Sequence, residues 1–453
     1  MATDERPAKR VKAAPATALG FRLTTLQNPS KGANRDCISL PEVLAGDFSH
    51  AILTNYHVDV AWLLAQSKQL TKVPVLLCHG SNQSSIRDAC APYANVTALA
   101  PPLPIPYGTH HTKMAVLFHA TFVRVAVFTA NFLAGDWATK TQGLWFQDFP
   151  RQPASAPKLA PQLTPSAPAE GNTFEHDLTS YLSTLHRAVA TLCKEMLPLY
   201  DYSGATVVLI PSVPGVYTAP EAMERYGHLR LQKVLRDRKV PVLPSSIVVA
   251  QVLLLSKTFS SLGSLTESWL QEFLSSWTLS RPSNLPPPKG FHIVWPSVAA
   301  VRGSLEGWAS GGALPCPLKN LKPFLHKYLR TWDPPEALQR TRAMPHIKTF
   351  ARLGATGTPD VVLLTSANLS QAAWGAYQKQ RSQFVVRSYE LGVLFLSTPA
   401  TTLGFADDAT AGLCFPLPYK WPPTTYNVRT EEPWSWDQVR DDVDDFGQTY
   451  EPR

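Results

Sequence analysis

Residues 109–132 read THHTKMAVLFHATFVRVAVFTANF, and residues 345–369 read PHIKTFARLGATGTPDVVLLTSANL. Each stretch opens on His-x-Lys, as His111-Thr112-Lys113 and His346-Ile347-Lys348. Each then runs through an apolar segment, a turn and a second apolar segment, and ends on Ala-Asn at Asn131 and Asn368. A tryptophan follows six residues after each asparagine, at Trp137 and Trp374, and the two histidines lie 235 residues apart. The distance from histidine to asparagine is 20 residues in the first copy and 22 in the second. Short apolar runs bounded by turn residues predict buried, neighbouring strands. Along a strand, residues i and i+2 share a face, so the histidine and lysine of each pair project together. An asparagine closing the next strand then comes beside them.

Two such halves facing each other across a pseudo-two-fold axis would gather two imidazoles, two ammonium groups and two carboxamides. That set holds no carboxylate pair for a magnesium ion and is net positive, so it suits a tetrahedral oxyanion. Lysines neutralise phosphate charge, and asparagine amides donate to non-bridging oxygens as negative charge builds. One neutral imidazole can attack phosphorus while the other, protonated, hands its proton to the leaving oxygen and later takes one from water. A lone His-x-Lys would carry almost no information; the matched second copy carries the weight.

The rest of the chain fits a globular enzyme. Its 453 residues are enough for two or three domains, with 44% hydrophobic and 17% charged residues. The six cysteines are scattered without a CxxC pair, which argues against zinc or a disulfide framework and for a reducing compartment. A formal charge of +8 favours a polyanionic partner. The N-terminus has no apolar signal segment, and the longest apolar stretch, residues 247–255, is far too short to cross a bilayer. A basic cluster, PAKRVKAAP at residues 7–15, sits in an Ala/Pro-rich tail as nuclear import signals do. A nuclear location is therefore expected.

The expected organisation is a disordered tail over 1–20, one domain over 21–218 and a second over 219–453. A helix within residues 55–66 opens the first domain, and residues 73–78 form a strand. The Pro/Ala/Ser tract 151–172 reads as a surface insertion or linker. One helix over 177–196 and a strand over 205–211 follow, with the turn-rich residues 211–220 as the seam between domains. Residues 225–240 read as a basic amphipathic helix, and residues 416–439 as a Trp- and Pro-rich loop. Alternating strands and helices predict an α/β fold with helices packed on sheets.

The wording around the repeat is specific: YGTHHTKM (107–114), TQGLWF (141–146), AMPHIKT (343–349), TSANLSQAAWG (365–375) and RSYELGVLFL (387–396), with SSLGSL (260–265) between them. These motifs resemble the tyrosyl-DNA phosphodiesterase family of the phospholipase D superfamily, from about residue 20 to the end. The wider superfamily carries His-x-Lys-x4-Asp; here Phe118 and Leu353 hold the aspartate positions, as in this DNA-repair branch. The resemblance implies two pseudo-symmetric phospholipase D-like domains, an α-β-α sandwich with the active site at their interface. It implies metal-independent hydrolysis, with no cofactor, of the bond between a DNA 3′-phosphate and the tyrosine of a stalled topoisomerase I, and of other 3′ adducts. His111 would be the nucleophile that becomes phosphohistidine, and His346 the general acid and then base. Lys113, Lys348, Asn131 and Asn368 would bind the phosphate. Gln142 and Glu390 would support the imidazoles, whereas His110, on the opposite side from His111, would be structural. Tyr107 would stack on a base, and Ser260, Ser261, Ser264 and Ser370 would meet the DNA backbone. Where relatives carry lysine after that last serine, this chain has Gln371. The basic helix with Arg230, Lys233 and Arg236 would add contacts or simply be solvated. The expected partners are single- or double-stranded DNA and the adduct peptide, with no membrane and a monomeric protein. The rival readings are a general phospholipase D-like phosphodiesterase or nuclease, and a non-catalytic DNA-binding scaffold.

Overall fold

The computed structural model describes residues 18–153, 173–241, 246–252, 265–280 and 289–452, apart from positions 28, 31, 82, 355, 407, 409 and 428. The basic cluster, nearly all of the Pro-rich tract, and Ser260, Ser261 and Ser264 lie outside the described residues.

The repeat folds as two seven-stranded sheets. The first comprises β1 (Arg22–Leu23), β2 (Phe48–Asn55), β3 (Val75–His79), β4 (Val96–Leu99), β5 (Met114–His119), β6 (Phe122–Phe128) and β7 (Gly143–Pro150). The second comprises β8 (Val208–Ser212), β9 (Ile247–Gln251), β10 (Phe291–Trp295), β11 (Leu329–Thr331), β12 (Thr349–Leu353), β13 (Pro359–Thr365) and β14 (Glu390–Leu396). The first sheet runs β1-β7-β6-β5-β2-β3-β4 and the second β8-β14-β13-β12-β9-β10-β11. Adding seven to each strand of the first gives the second. Every ladder also keeps its sense: β2-β3-β4 and β9-β10-β11 are parallel, and the other pairings are antiparallel.

Both faces of the first sheet are covered. Along β5, Met114, Val116 and Phe118 enter one apolar cluster, while Ala115 and Leu117 enter another. Helices Thr173–Ser183 and Arg187–Met196 close the first face through Phe174, Leu178, Leu182 and Val189. Helices Val60–Ala65 and Gln83–Cys90 close the second through Val60, Leu63, Leu64 and Ile86. A strand buried on both faces must be apolar throughout, which is why MAVLF reads as an unbroken run. The first cluster continues through the second half as far as Trp434, so the two sandwiches share a core.

Several expectations are corrected. The first domain does not open on a helix at residue 55: β2 precedes it, and the helix starts only at Val60, where Asp59 accepts the Trp62 N–H at 3.0 Å. The single helix expected over 177–196 is two, because the His186 ring starts the second by accepting the Ala188 N–H at 3.1 Å. The turn at 211–220 follows the first strand of the second sheet rather than preceding it, since β8 pairs with β14. In addition, Ala18–Leu19 pairs in parallel with Leu413–Cys414.

Candidate active site between the two halves

β5 and β12 begin at the residue after each lysine, and β6 and β13 end three residues before each asparagine. The connection between them absorbs the two-residue difference in spacing: Ala120 and Thr121 separate the strands of the first pair, while the second pair ends at Leu353 and resumes at Pro359. The functional triplets thus leave the strands at matched places.

Reciprocal backbone pairing then locks the halves face to face. The His111 N–H donates to the Tyr389 carbonyl at 3.0 Å, and the Tyr389 N–H to that of Thr109 at 2.9 Å. On the other side, the His346 N–H donates to the Thr141 carbonyl at 3.0 Å and the Thr141 N–H to that of Met344 at 2.9 Å. Each half thereby presents the residue after that contact, Glu390 or Gln142, to the other half's histidine. His111 Nδ1 lies 3.0 Å from Glu390 Oε2, and His346 Nδ1 lies 3.1 Å from Gln142 Oε1. An acceptor on Nδ1 fixes the tautomer and leaves Nε2 for substrate. The support behind it is duplicated as well: Ser366 donates to Glu390 at 2.5 Å and Thr129 to Gln142 at 2.8 Å. Each ammonium is tethered to its own histidine's carbonyl, Lys113 Nζ at 2.8 Å and Lys348 Nζ at 2.5 Å.

Five of the predicted six are buried and His111 is partly buried, its side chain 11% exposed, and loss of water governs how the four basic groups titrate. It pushes His111 down to about 4, with Lys113 and Lys348 adding to the effect and Glu390 opposing it. Burial, then Lys348, Lys113 and Lys140, hold His346 well below the ordinary histidine range. Lys113 is lowered to about 8 by burial, and Lys348 is lowered further by burial and by Lys113. Burial acts to raise Glu390, but the charge and hydrogen bond of His111 and the Ser366 hydroxyl outweigh it, leaving the carboxyl below its usual range. Crowded cations in a dry site are stabilised by an anion, and a bound phosphate would restore both lysines and allow one imidazole to hold a proton. Among the described residues no cluster of three or more His, Cys, Asp or Glu is placed to hold a metal ion.

His110 is buried edge-on to Tyr389, and neither ring nitrogen has a hydrogen-bond partner. Burial, helped by Lys113, lowers it to about 3. Tyr107 stands at the rim, 54% exposed and in a left-handed backbone conformation. Ser370 is buried two residues past Asn368, where its hydroxyl oxygen accepts the Ala373 N–H at 3.2 Å and starts the short helix Gln371–Trp374. The basic helix, Gly227–Asp237, does not present free charge. Arg230 pairs with Asp177, Lys233 with Asp237 and Arg236 with Glu224, all within 2.9 Å.

Three features escaped the sequence reading. Tyr56 packs against His111 with ring centroids 5.4 Å apart, beneath the Lys113 ammonium. Asp136 Oδ2 accepts both the backbone N–H and the Nδ2–H of Asn131 at 2.8 Å. Lys140 bridges Asp136 to Glu306 of the second half. Asp136 and Lys140 have a sequence signal, being charged residues where the second copy, aligned on its asparagine, has Ala373 and Tyr377; Tyr56 has none.

The sequence matches the family described as tyrosyl-DNA phosphodiesterase over residues 20–427. It is 37% identical to tyrosyl-DNA phosphodiesterase 1 of Arabidopsis thaliana, over 95% of this chain and 76% of the plant protein. The protein of the same name from Drosophila melanogaster is 31% identical, over 86% of this chain and 68% of the fly protein. In three dimensions the fold is that of the yeast tyrosyl-DNA phosphodiesterase crystal structure, with a TM-score of 0.70 at 17% identity, covering 92% of this chain and 99% of that one.

Proposed function

This chain is a member of the tyrosyl-DNA phosphodiesterase family, and from that premise we propose that it hydrolyses the phosphodiester between a DNA 3′-phosphate and a tyrosine. The adduct is the one left by a stalled topoisomerase I, and other 3′-blocking groups are substrates of the same site. One observation carries the reading: each imidazole is anchored through Nδ1 by an acceptor from the opposite half, Glu390 for His111 and Gln142 for His346.

The chemistry runs in two displacements. His111 Nε2 attacks phosphorus while His346 protonates the tyrosyl oxygen, so the P–N bond forms as the P–O bond breaks. His346, now neutral, takes a proton from water, which attacks phosphorus and releases the 3′-phosphate and free His111. Lys113, Lys348, Asn131 and Asn368 hold the phosphoryl oxygens, and no metal is required. Tyr107 stacks on a base, a contact typically contributing about 1–3 kcal/mol. Ser260, Ser261, Ser264 and Ser370 contact the DNA backbone, which carries no sequence information. The protein acts as a monomer in the nucleus, brought there by the basic cluster at residues 7–15.

Incubating the full chain with a 3′-phosphotyrosyl oligonucleotide in EDTA tests the reading. Release of tyrosine and a 3′-phosphate end is expected. A strict requirement for divalent metal overturns the mechanism, and hydrolysis of phosphatidylcholine with the oligonucleotide left intact overturns the reading in favour of a general phospholipase D-like hydrolase.

A further inference from the structure

The two halves match closely except behind their histidines. Glu390 is a carboxylate, whereas its counterpart Gln142 is a neutral amide. His346 nevertheless sits among Lys348, Lys113 and Lys140, and His111 also bears on it. The anion missing from Gln142 is supplied from another element. Asp136, in the short helix Ala134–Ala138, places Oδ2 3.8 Å from His346 Nδ1, closer to that ring than an ordinary surface charge. Its other oxygen is 3.6 Å from Lys140 Nζ, its side chain is 7% exposed, and its own carbonyl accepts from the Gln142 amide at 3.4 Å. The residue at the same distance past Asn368 is Ala373, so the His111 side has no such group. Each imidazole therefore has one carboxylate.

We propose that Asp136 is a positioning residue for the general acid, stabilising the His346 imidazolium through space while fixing the Asn131 amide. The inference rests on the assignment of His346 as the acid–base residue. Because Gln142 already takes the Nδ1 proton, Asp136 acts through charge and never receives that proton. Its strength is set by Lys140, which neutralises one carboxylate oxygen and is itself held by Glu306 at 3.2 Å. Lys113 and Lys348 are the other cations that Asp136 faces.

The sign follows directly. Removing the carboxylate makes the imidazolium harder to hold, so the acid form of His346 is lost at lower pH. Asp136→Asn keeps the acceptor for the Asn131 N–H and removes the charge together with the pairing to Lys140. Single-turnover cleavage of a 3′-phosphotyrosyl oligonucleotide by the full chain between pH 5 and 9 should show the alkaline limb displaced downward. A displacement of about one pH unit corresponds to roughly tenfold slower cleavage above the limb. The defect should shrink when tyrosine is replaced by 4-nitrophenol, which leaves without protonation, and Asp136→Glu should recover part of the rate. Lys140→Met should move the limb the other way, upward. An unmoved limb in both variants, or an equal loss at every pH and with both leaving groups, overturns the proposal even though wild-type cleavage upholds the functional reading. If Asp136→Asn does not fold, the direction of the Lys140→Met shift decides alone.

Discussion

Glu390 and Gln142 occupy equivalent places and differ by one carboxylate oxygen against an amide. That difference separates two histidines that the repeat alone makes interchangeable. The six repeat residues were legible in the sequence because His-x-Lys and Ala-Asn recur with matched downstream tryptophans. Tyr56 and Asp136 were not, because neither has a partner in the other copy and their roles exist only once the halves meet. Lys113 gives a pH test at this scale. Its ammonium, lowered to about 8 by burial, is charged below that pH and neutral above it. Affinity for an oligonucleotide ending in 3′-phosphate should therefore hold at pH 7 and weaken as pH rises through about 8, measured by fluorescence anisotropy. Affinity that stays flat to pH 9.5 would contradict the assignment.

The elements that position the site are the loops entering β5 and β12, and one glycine shows how closely the halves approach there. A Cβ on Gly108 would lie 2.1 Å from the Arg387 carbonyl oxygen of the other half, a backbone atom that has no freedom to swing aside. Gly108→Ala should cost about 1–3 kcal/mol of stability and loosen the loop that carries Tyr107, raising the dissociation constant for DNA. Denaturant unfolding and binding measured on the same variant check both, and unchanged values in each would show that the approach is not constrained. The apolar hairpins at this scale were legible, since a strand buried on both faces leaves an unbroken hydrophobic run. β2 was not, because FSHAILTN mixes polar with apolar residues and ends in the tract that looks helical. The break at Thr184–His186 was hidden for a similar reason: apolar residues at helical spacing continue across it.

At the scale of the molecule, duplication explains the architecture, and contacts between the first half's opening segment and the second half add to its cohesion. Arg340, fully buried in the second half, donates to the carbonyls of Thr24 and Ala33 in the first at 2.7 and 2.8 Å. Nothing in a single arginine amid ordinary residues announces such a role. Arg340→Met orphans the Thr24 carbonyl and leaves that of Ala33 only the weak Cys37 thiol at 3.5 Å, and should lower stability by about 1–3 kcal/mol, seen as a lower denaturant midpoint. An unaltered midpoint would mean that the N-terminal segment contributes nothing to holding the halves together. The second sheet starts at β8, ahead of the turn that looked like a seam, because an edge strand can reach its sheet from either side of a turn and its sequence does not say which. The fold brings together one site from two half-sites, and in the proposed mechanism the halves do different chemistry. The most direct measurement is mass spectrometry of the protein quenched with a 3′-phosphotyrosyl oligonucleotide. His346→Gln should accumulate a DNA adduct mapping to His111, and His111→Ala should give none; an adduct on His346, or none in either variant, would contradict the account.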